Sequence, residues 1–251
     1  MDSYQKEIKL LDHGFVRYID HLGSDHRILE AARVSYKSKG KGEIADKKLL
    51  EYLYKNLHTS PFEQVNITFN IKMPLFVFGQ YVRHRMQSLN VVSARYTQLP
   101  HEFYYPSEWR KQDIKNKQGS KKENNWNPEI YMVHKYHTPV DSGDEVIDSK
   151  IKVSDALRIH CDNAYQLYEL MLNAGVSREM ARVVLPQNIY TEFYATWDLK
   201  NLLHFITLRD DSHAQLEIQE YAKAIKEILT DLFPWSMEAY NKYKFKLTEV
   251  V

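Results

Sequence analysis

Three arginines within thirteen residues, Arg83, Arg85 and Arg95, lie in a stretch from Gln64 to His101 that contains no acid. Lys72 falls in the same stretch, with His84 and His101 beside the arginines. A guanidinium presents a planar fork of donors that matches phosphate bidentately, so this concentration of charge points to an anion site. The competing reading is a set of structural ion pairs with acids supplied from elsewhere in the fold. Gln80, Ser88, Asn90, Ser93 and Tyr96 add short polar groups and a ring around the arginines. Such a mixture suits a small nucleotide-like ligand, whose phosphate, sugar and heterocycle edge are held together. A nucleic-acid surface needs a longer basic stripe spread over several elements, and none is visible.

A second group lies further along. Arg178 and Arg182 are one helical turn apart and would share a face. The run Leu208-Arg209-Asp210-Asp211-Ser212-His213-Ala214-Gln215 would put an arginine just before a helix and a histidine in its first turn, where free amides favour an anion. Simple capping by Asp211 or Ser212, with Arg209 paired to Asp210, would explain the same residues. No P-loop and no GxGxxG occur, so neither common phosphate cradle is expected. His134 and His137 are the nearest approach to a metal pair; with no third ligand beside them in a polar segment, no metal site is expected. The single cysteine, Cys161, lies among Leu157, Ala164, Leu167 and Met171 at helical spacing and reads as a small buried thiol in a reducing compartment.

The elements that must carry these groups follow from composition and periodicity. The chain has 251 residues, 43% hydrophobic and 27% charged, with a formal net charge of +1. That is the profile of a globular protein with no global pull toward nucleic acid or membrane. The longest apolar run, Met73 to Phe78, is far short of the roughly 20 residues of a membrane helix, and residues 1–7 show no signal-peptide character, so a cytoplasmic protein is expected. Ile8 to Ile19 predicts one or two strands. Ser24 caps an expected helix bearing Ile28, Leu29 and Ala32, and Leu49, Leu50, Leu53 and Leu57 mark another over Glu43 to Leu57. Val65, Ile67, Phe69 and Ile71 alternate with polar residues as in a half-buried strand. A helix follows from Leu75 to about His84, then a loop from Met86 to Val92. Lys111 to Lys152 reads as a polar, partly mobile surface insertion with Trp126, Ile130, Tyr131 and Tyr136 as anchors; its basic part, Lys115 to Lys122, reads as a solvated loop. Helices are expected over Ile151 to Ala174, from Ser177 to before Pro186, and over Asp198 to Leu208 and Ser212 to Leu232, with a strand around Ile189 to Thr196. Strands among unequal helices, without regular βαβ units, argue an α+β fold.

Arg83-His84-Arg85, seven residues, then Ser93-Ala94-Arg95-Tyr96 resembles the signature of the flavin-dependent thymidylate synthases. Further blocks resemble that family in order: Ala31 to Tyr36, His58 to Glu63, Glu102 to Tyr104, Arg182 to Pro186, and Leu208 through Gln215. The resemblance covers nearly the whole chain outside the insertion. It implies a single α+β domain, a mostly antiparallel sheet with flanking helices, and a homotetramer with shared active sites. The implied reaction is methylation of dUMP at C5, with methylenetetrahydrofolate as methylene donor and FAD reduced by NADPH. Uracil activation would not use a cysteine nucleophile. By the same resemblance Arg209 stabilises negative charge as N3 of the uracil loses its proton, and Gln80, Arg83, Val92, Ser93, Ala94, Arg95 and Arg182 hold dUMP with it. Ser60, Arg83, His84, Arg85, Val91, Asp198, Lys200 and His204 would contact FAD, and His58 would border the flavin ring and folate.

The chain departs from the family pattern at Val91, where a glutamate is usual, and at Asp198, Lys200 and His204, which replace Asn, Arg and Asn of some relatives. Two other classes fit parts of the sequence: a dUMP-binding regulator without turnover, which would tolerate Val91, and an RNA-binding protein using Lys115 to Lys122.

Overall fold

Strands β1 (Glu7–Leu10) and β2 (Gly14–Leu22) open a five-stranded antiparallel sheet, followed by helices α1 (Asp25–Ala32) and α2 (Glu43–Lys55) and a short 3-10 turn, Ser60–Gln64. Next come β3 (Asn66–Pro74), α3 (Leu75–Tyr81) and β4 (Gln87–Val91). The hairpin strands β5 (Arg110–Gln112) with β6 (Ser120–Lys122), and β7 (Glu129–Tyr136) with β8 (Glu145–Lys152), precede α4 (Val153–Asn173) and the short α5 (Arg178–Ala181). The chain closes with β9 (Tyr190–Asp198), α6 (Leu199–Arg209), α7 (Leu216–Leu232) and α8 (Pro234–Thr248). This computed structural model describes residues 6–34, 42–117, 119–136 and 145–248. The chain forms two compact units, Met1–Val92 with Tyr190–Val251, and Ser93–Ile189. The class is α+β, as the sequence predicts.

In the first unit the sheet order is β1-β2-β3-β9-β4. The period of two in β3 does what a half-buried strand requires. Ile67, Phe69, Ile71 and Met73 are all buried, and so are Phe193, Ala195 and Trp197 on β9, antiparallel to it from Asn66 opposite Asp198 to Pro74 opposite Tyr190. Leu202, Phe205 and Ile206 of α6 and Ile218, Tyr221 and Ile225 of α7 pack into the same core. The Trp197 indole N–H donates to the Tyr81 hydroxyl at 2.8 Å, so β9 and the end of α3 are tied by a fully buried polar contact. Asp25, also buried, accepts from the Trp235 and Ser236 amides and caps the start of α8.

The second unit is built on α4. Ala156, Cys161, Ala164 and Tyr168 face inward, and Gly175 with φ +86° ends the helix in the left-handed conformation that glycine permits. Cys161 is buried, as expected, and contacts the Asn188 side chain; burial holds its thiol above the ordinary value.

Several expectations are corrected. The Met86 to Val92 loop is largely β4, an edge strand paired to β9 whose side chains are mostly exposed, so no apolar alternation announces it. The 111–152 insertion contains two antiparallel hairpins, and Lys121 and Lys122 stand on a strand. Of its expected anchors, Ile130 and Tyr131 are exposed, whereas Trp126 is half-buried with the Lys111 ammonium over its ring. Leu167 is exposed, its place in the α4 stripe being taken by Tyr168. Helix α3 ends at Tyr81, before Arg83. Helix α7 begins at Leu216 because the Asp211 carboxylate accepts from the His213 amide and ring and forms a local turn there. His213 is therefore in no helix. Helix α8 lies beyond the elements read from the sequence. His137, Ser35 and Tyr36 lie outside the described residues.

Replacing Tyr81 by Phe leaves a buried indole N–H without its acceptor. The expected loss is about 1–3 kcal/mol, read as a lower denaturant midpoint with an unchanged slope.

Candidate functional site

Arg83, His84 and Arg85 occupy the turn that leads from α3 to β4, and Arg209 ends α6, where the negative end of the helix dipole favours a cation. The first unit brings these residues to one cleft of about 590 Å³. Its lining is Arg83, His84, Arg85, Met86, Trp197, Asn201, His204, Leu208 and Arg209. Among the described residues, no carboxylate lines it. The volume is that of a small-molecule site.

The ion-pair reading can now be weighed residue by residue. Arg83 and Arg85 have no hydrogen bond or ion pair with any described residue. Asp210, the nearest acid in sequence to Arg209, is taken by Lys226 at 2.8 Å. Arg209 instead donates from Nε to His84 Nε2 at 3.0 Å and from Nη2 to the Gln80 carbonyl at 3.5 Å. For His84 to accept at Nε2 it must be neutral with its proton on Nδ1. Burial, and then the Arg209 and His204 charges, push its pKa down to about 4. His204, 6.3 Å from His84 between ring centres, is lowered by desolvation and by Lys200. Burial lowers Arg209 from its ordinary value and leaves it a cation.

Other sequence-selected residues surround this group. Gln80 lies in the last turn of α3 and its side-chain amide donates to Gln215. Asp198 caps α6, accepting from the Asn201 amide at 2.9 Å and from its side chain at 2.7 Å, so its carboxylate is committed to the helix start. Lys200 faces Glu63 at 3.4 Å. Ser60 opens the 3-10 turn and His58, exposed, lies edge-on to Tyr52. Val91 is the last residue of β4, opposite Phe193, and the Val92 amide donates to the Glu192 carbonyl at 2.9 Å.

Ser93, Ala94, Arg95 and Arg182 belong to the second unit. Ser93 closes a turn, its carbonyl accepting from Tyr96; Ala94 is buried. Arg95 meets Glu179 at 3.3 Å, an exposed pair of the kind that contributes little. Arg178 opens α5 and Arg182 begins a 3-10 turn, so the single helical face expected for them is broken between the two. Sequence reading missed Trp197, Asn201, Met86 and Leu208. Asn201, His204 and Leu208 fall at i, i+3 and i+7, a spacing that already places them on one face of α6.

The donor set fits a flavin nucleotide: unpaired guanidiniums for its phosphates, and Met86, Trp197 and Leu208 as an apolar wall for a flat ring. The family model of the thymidylate synthase complementing proteins matches residues 17–235. The chain belongs to the flavin-dependent thymidylate synthase family. It is 42% identical over 240 residues to a flavin-dependent thymidylate synthase of Thermosipho africanus, covering 96% of each chain. A relative of the same name from Wolbachia pipientis is 42% identical over 241 residues, covering 95% of this chain and 77% of its own. Among solved structures, the Streptomyces cacaoi UMP/dUMP methylase PolB bound with 5-Br dUMP superposes with a TM-score of 0.77 at 26% identity, over 94% of this chain and 98% of that one.

Because His84 is neutral when folded and has an ordinary value near 6.5, its contribution to stability is full above pH 6.5 and is lost as pH falls toward 4. Nitrogen NMR of the ring is expected to show the Nδ1–H form with no titration between pH 5 and 8, and His84→Gln is expected to flatten the acid limb of the stability curve.

Proposed function

We propose that this flavin-dependent thymidylate synthase family member converts dUMP to dTMP, with methylenetetrahydrofolate as methylene donor, FAD as the flavin and NADPH as its reductant. The observation that carries the reading is the acid-free cleft in which Arg83, Arg85 and Arg209 converge. In the overall change the C5–H of uracil becomes C5–CH3. The C5 proton leaves to solvent, the folate gives its methylene carbon and departs as tetrahydrofolate, and two electrons from NADPH supply the hydride. Bound reduced flavin is the group that delivers that hydride.

The protein's part is electrostatic and positional. Arg83 and Arg85, free of other partners, hold phosphates, with His84, His204 and Lys200 along the flavin and Ser60 and His58 at its ring and folate side. Asp198 serves that site through the helix it caps. Arg209 faces the uracil edge, where a fixed cation stabilises the negative charge that develops as N3 loses its proton and C5 becomes nucleophilic. His84 and the Gln80 carbonyl hold one edge of that guanidinium and leave its Nη1 end for the substrate. By the family resemblance, Gln80 and Val92 of the first unit, and Ser93, Ala94, Arg95 and Arg182 of the second, are the further dUMP-binding residues. We further place the chain in the cytoplasm as a homotetramer with shared active sites, a single domain carrying the 111–152 insertion. Exposed Met180 and Val183 beside exposed Arg182 support contact with another copy. Among the described residues no helix is long and apolar enough to cross a membrane.

An absorbance spectrum of the purified chain, followed by anaerobic NADPH with and without dUMP, tests the proposal. Flavin bands that bleach, with dTMP formed once the folate is added, are expected. Failure to take up FAD overturns it, and flavin reduction with dUMP binding but no dTMP would instead fit a regulator. Arg209→Ala should lower kcat by about 100-fold or more while flavin is retained, whereas Cys161→Ala, on the inward face of α4 in the second unit, should leave kcat unchanged.

A further inference from the structure

Behind Gln80 lies a chain of side chains with no part in the machinery described above. The Gln80 amide nitrogen donates to Gln215 Oε1, and Gln215 Nε2 donates to Glu217 Oε2 at 2.8 Å. Glu217 stands in the first turn of α7 and is only 2% exposed, and α7 packs against α3, which carries Gln80. Glu217 Oε2 is the acceptor of the hydrogen bond from Gln215.

The Glu217 carboxylate oxygen accepts, whereas a primary amide has one acceptor end and one donor end. Gln215 must therefore turn its NH2 to Glu217 and its oxygen to Gln80. Gln80, in turn, must spend its NH2 on Gln215. What remains to it is Oε1, which has no partner among the described residues. The Gln80 carbonyl accepts from Arg209 Nη2, which fixes this residue beside the guanidinium.

We propose that Gln215 and Glu217 are positioning residues whose relay makes Gln80 meet its ligand as a hydrogen-bond acceptor, selecting a hydroxyl donor on the nucleotide. The inference rests on the dUMP reading above. A phosphate has only acceptor oxygens to offer. The N3 edge faces Arg209, which stabilises the anion and accepts no proton, so the donor left on dUMP is the sugar 3′-hydroxyl, and Gln80 reads that group. An amide free to turn over would accept either a donor or an acceptor there and would discriminate less.

The test is calorimetric titration of the FAD-loaded protein with dUMP and with 2′,3′-dideoxyuridine 5′-monophosphate. The wild type is expected to prefer dUMP by on the order of tenfold, the worth of one such hydrogen bond. Gln215→Met, which fills the same space without a donor or acceptor, should cut the preference to about threefold or less in a variant that stays folded and keeps its flavin, with the melting temperature somewhat lowered by the lost hydrogen bonds. Glu217→Gln, which keeps the shape and replaces the carboxylate by an amide, should do the same. Equal affinity of the wild type for the two nucleotides overturns the assignment, as does a full preference retained in a folded Gln215→Met variant. A wild type that takes up FAD but binds neither nucleotide instead overturns the dUMP reading. Should Glu217→Gln fail to fold, the wild-type comparison and Gln215→Met decide.

Discussion

The cleft depends on keeping one imidazole neutral among cations. Arg83, Arg85 and Arg209 line a single space without a lining carboxylate, and His84 sits among them. A protonated His84 would add a fourth positive charge and would present a donor to the Arg209 Nε–H where an acceptor is needed. Burial of the ring and the neighbouring charges act in the same direction, and the imidazole becomes a fixed acceptor that orients Arg209. Arg83 and Arg85, which have no partner among the described residues, are the charges available to an anion.

Such a cluster needs a rigid frame, because mutually repelling side chains relax apart on a soft one. Strand β9 supplies it. It pairs with β3 over nine residues and with β4 over five, and its last residue caps α6, the helix that ends in Arg209. The turn bearing Arg83, His84 and Arg85 is anchored on one side by Tyr81, bonded to Trp197 of the same β9, and on the other by β4. Gln87 adds a 2.6 Å hydrogen bond to the His84 carbonyl across the turn. Each cationic residue of the cleft therefore traces back to β9 within one or two elements.

What the sequence made legible follows burial. Strand β3 and the helices with an apolar face were readable because one side of each enters the core, and Gly175 was readable because only a left-handed residue ends α4 that way. Strand β4 was not, since its hydrogen bonds to β9 form it while both faces stay largely exposed. The short hairpin of β5 and β6 escaped for the same reason, its side chains being half-buried or exposed. At Ser212 the capping chemistry was real but its product was a turn, since Asp211 satisfies the His213 amide without nucleating a helix. The arginines of the site were visible as types and spacing. Which of them stay unpaired was not, because that depends on where distant acids go: Asp210 to Lys226, Glu179 to Arg95, and none to Arg83 or Arg85.

The half-burial of Arg209 decides how much its charge can do. A unit charge 4 Å from an anion gains about 1 kcal/mol in bulk water and about 4 kcal/mol at an effective dielectric near 20. An exposed arginine would sit near the first figure, and one at a water-poor cleft wall moves toward the second. The same low polarisability makes an empty, acid-free cleft electrostatically unfavourable, since the cations repel with less screening. Anion binding relieves that repulsion and strengthens the field left for the next ligand's reacting edge only if the phosphates settle on Arg83 and Arg85 and leave Arg209 uncompensated. The geometry provides for that separation: His84 and the Gln80 carbonyl occupy the Nε side of Arg209 with neutral acceptors, so the guanidinium is oriented without being neutralised. A carboxylate in either position would hold Arg209 more tightly and cancel the charge that the proposed reaction needs.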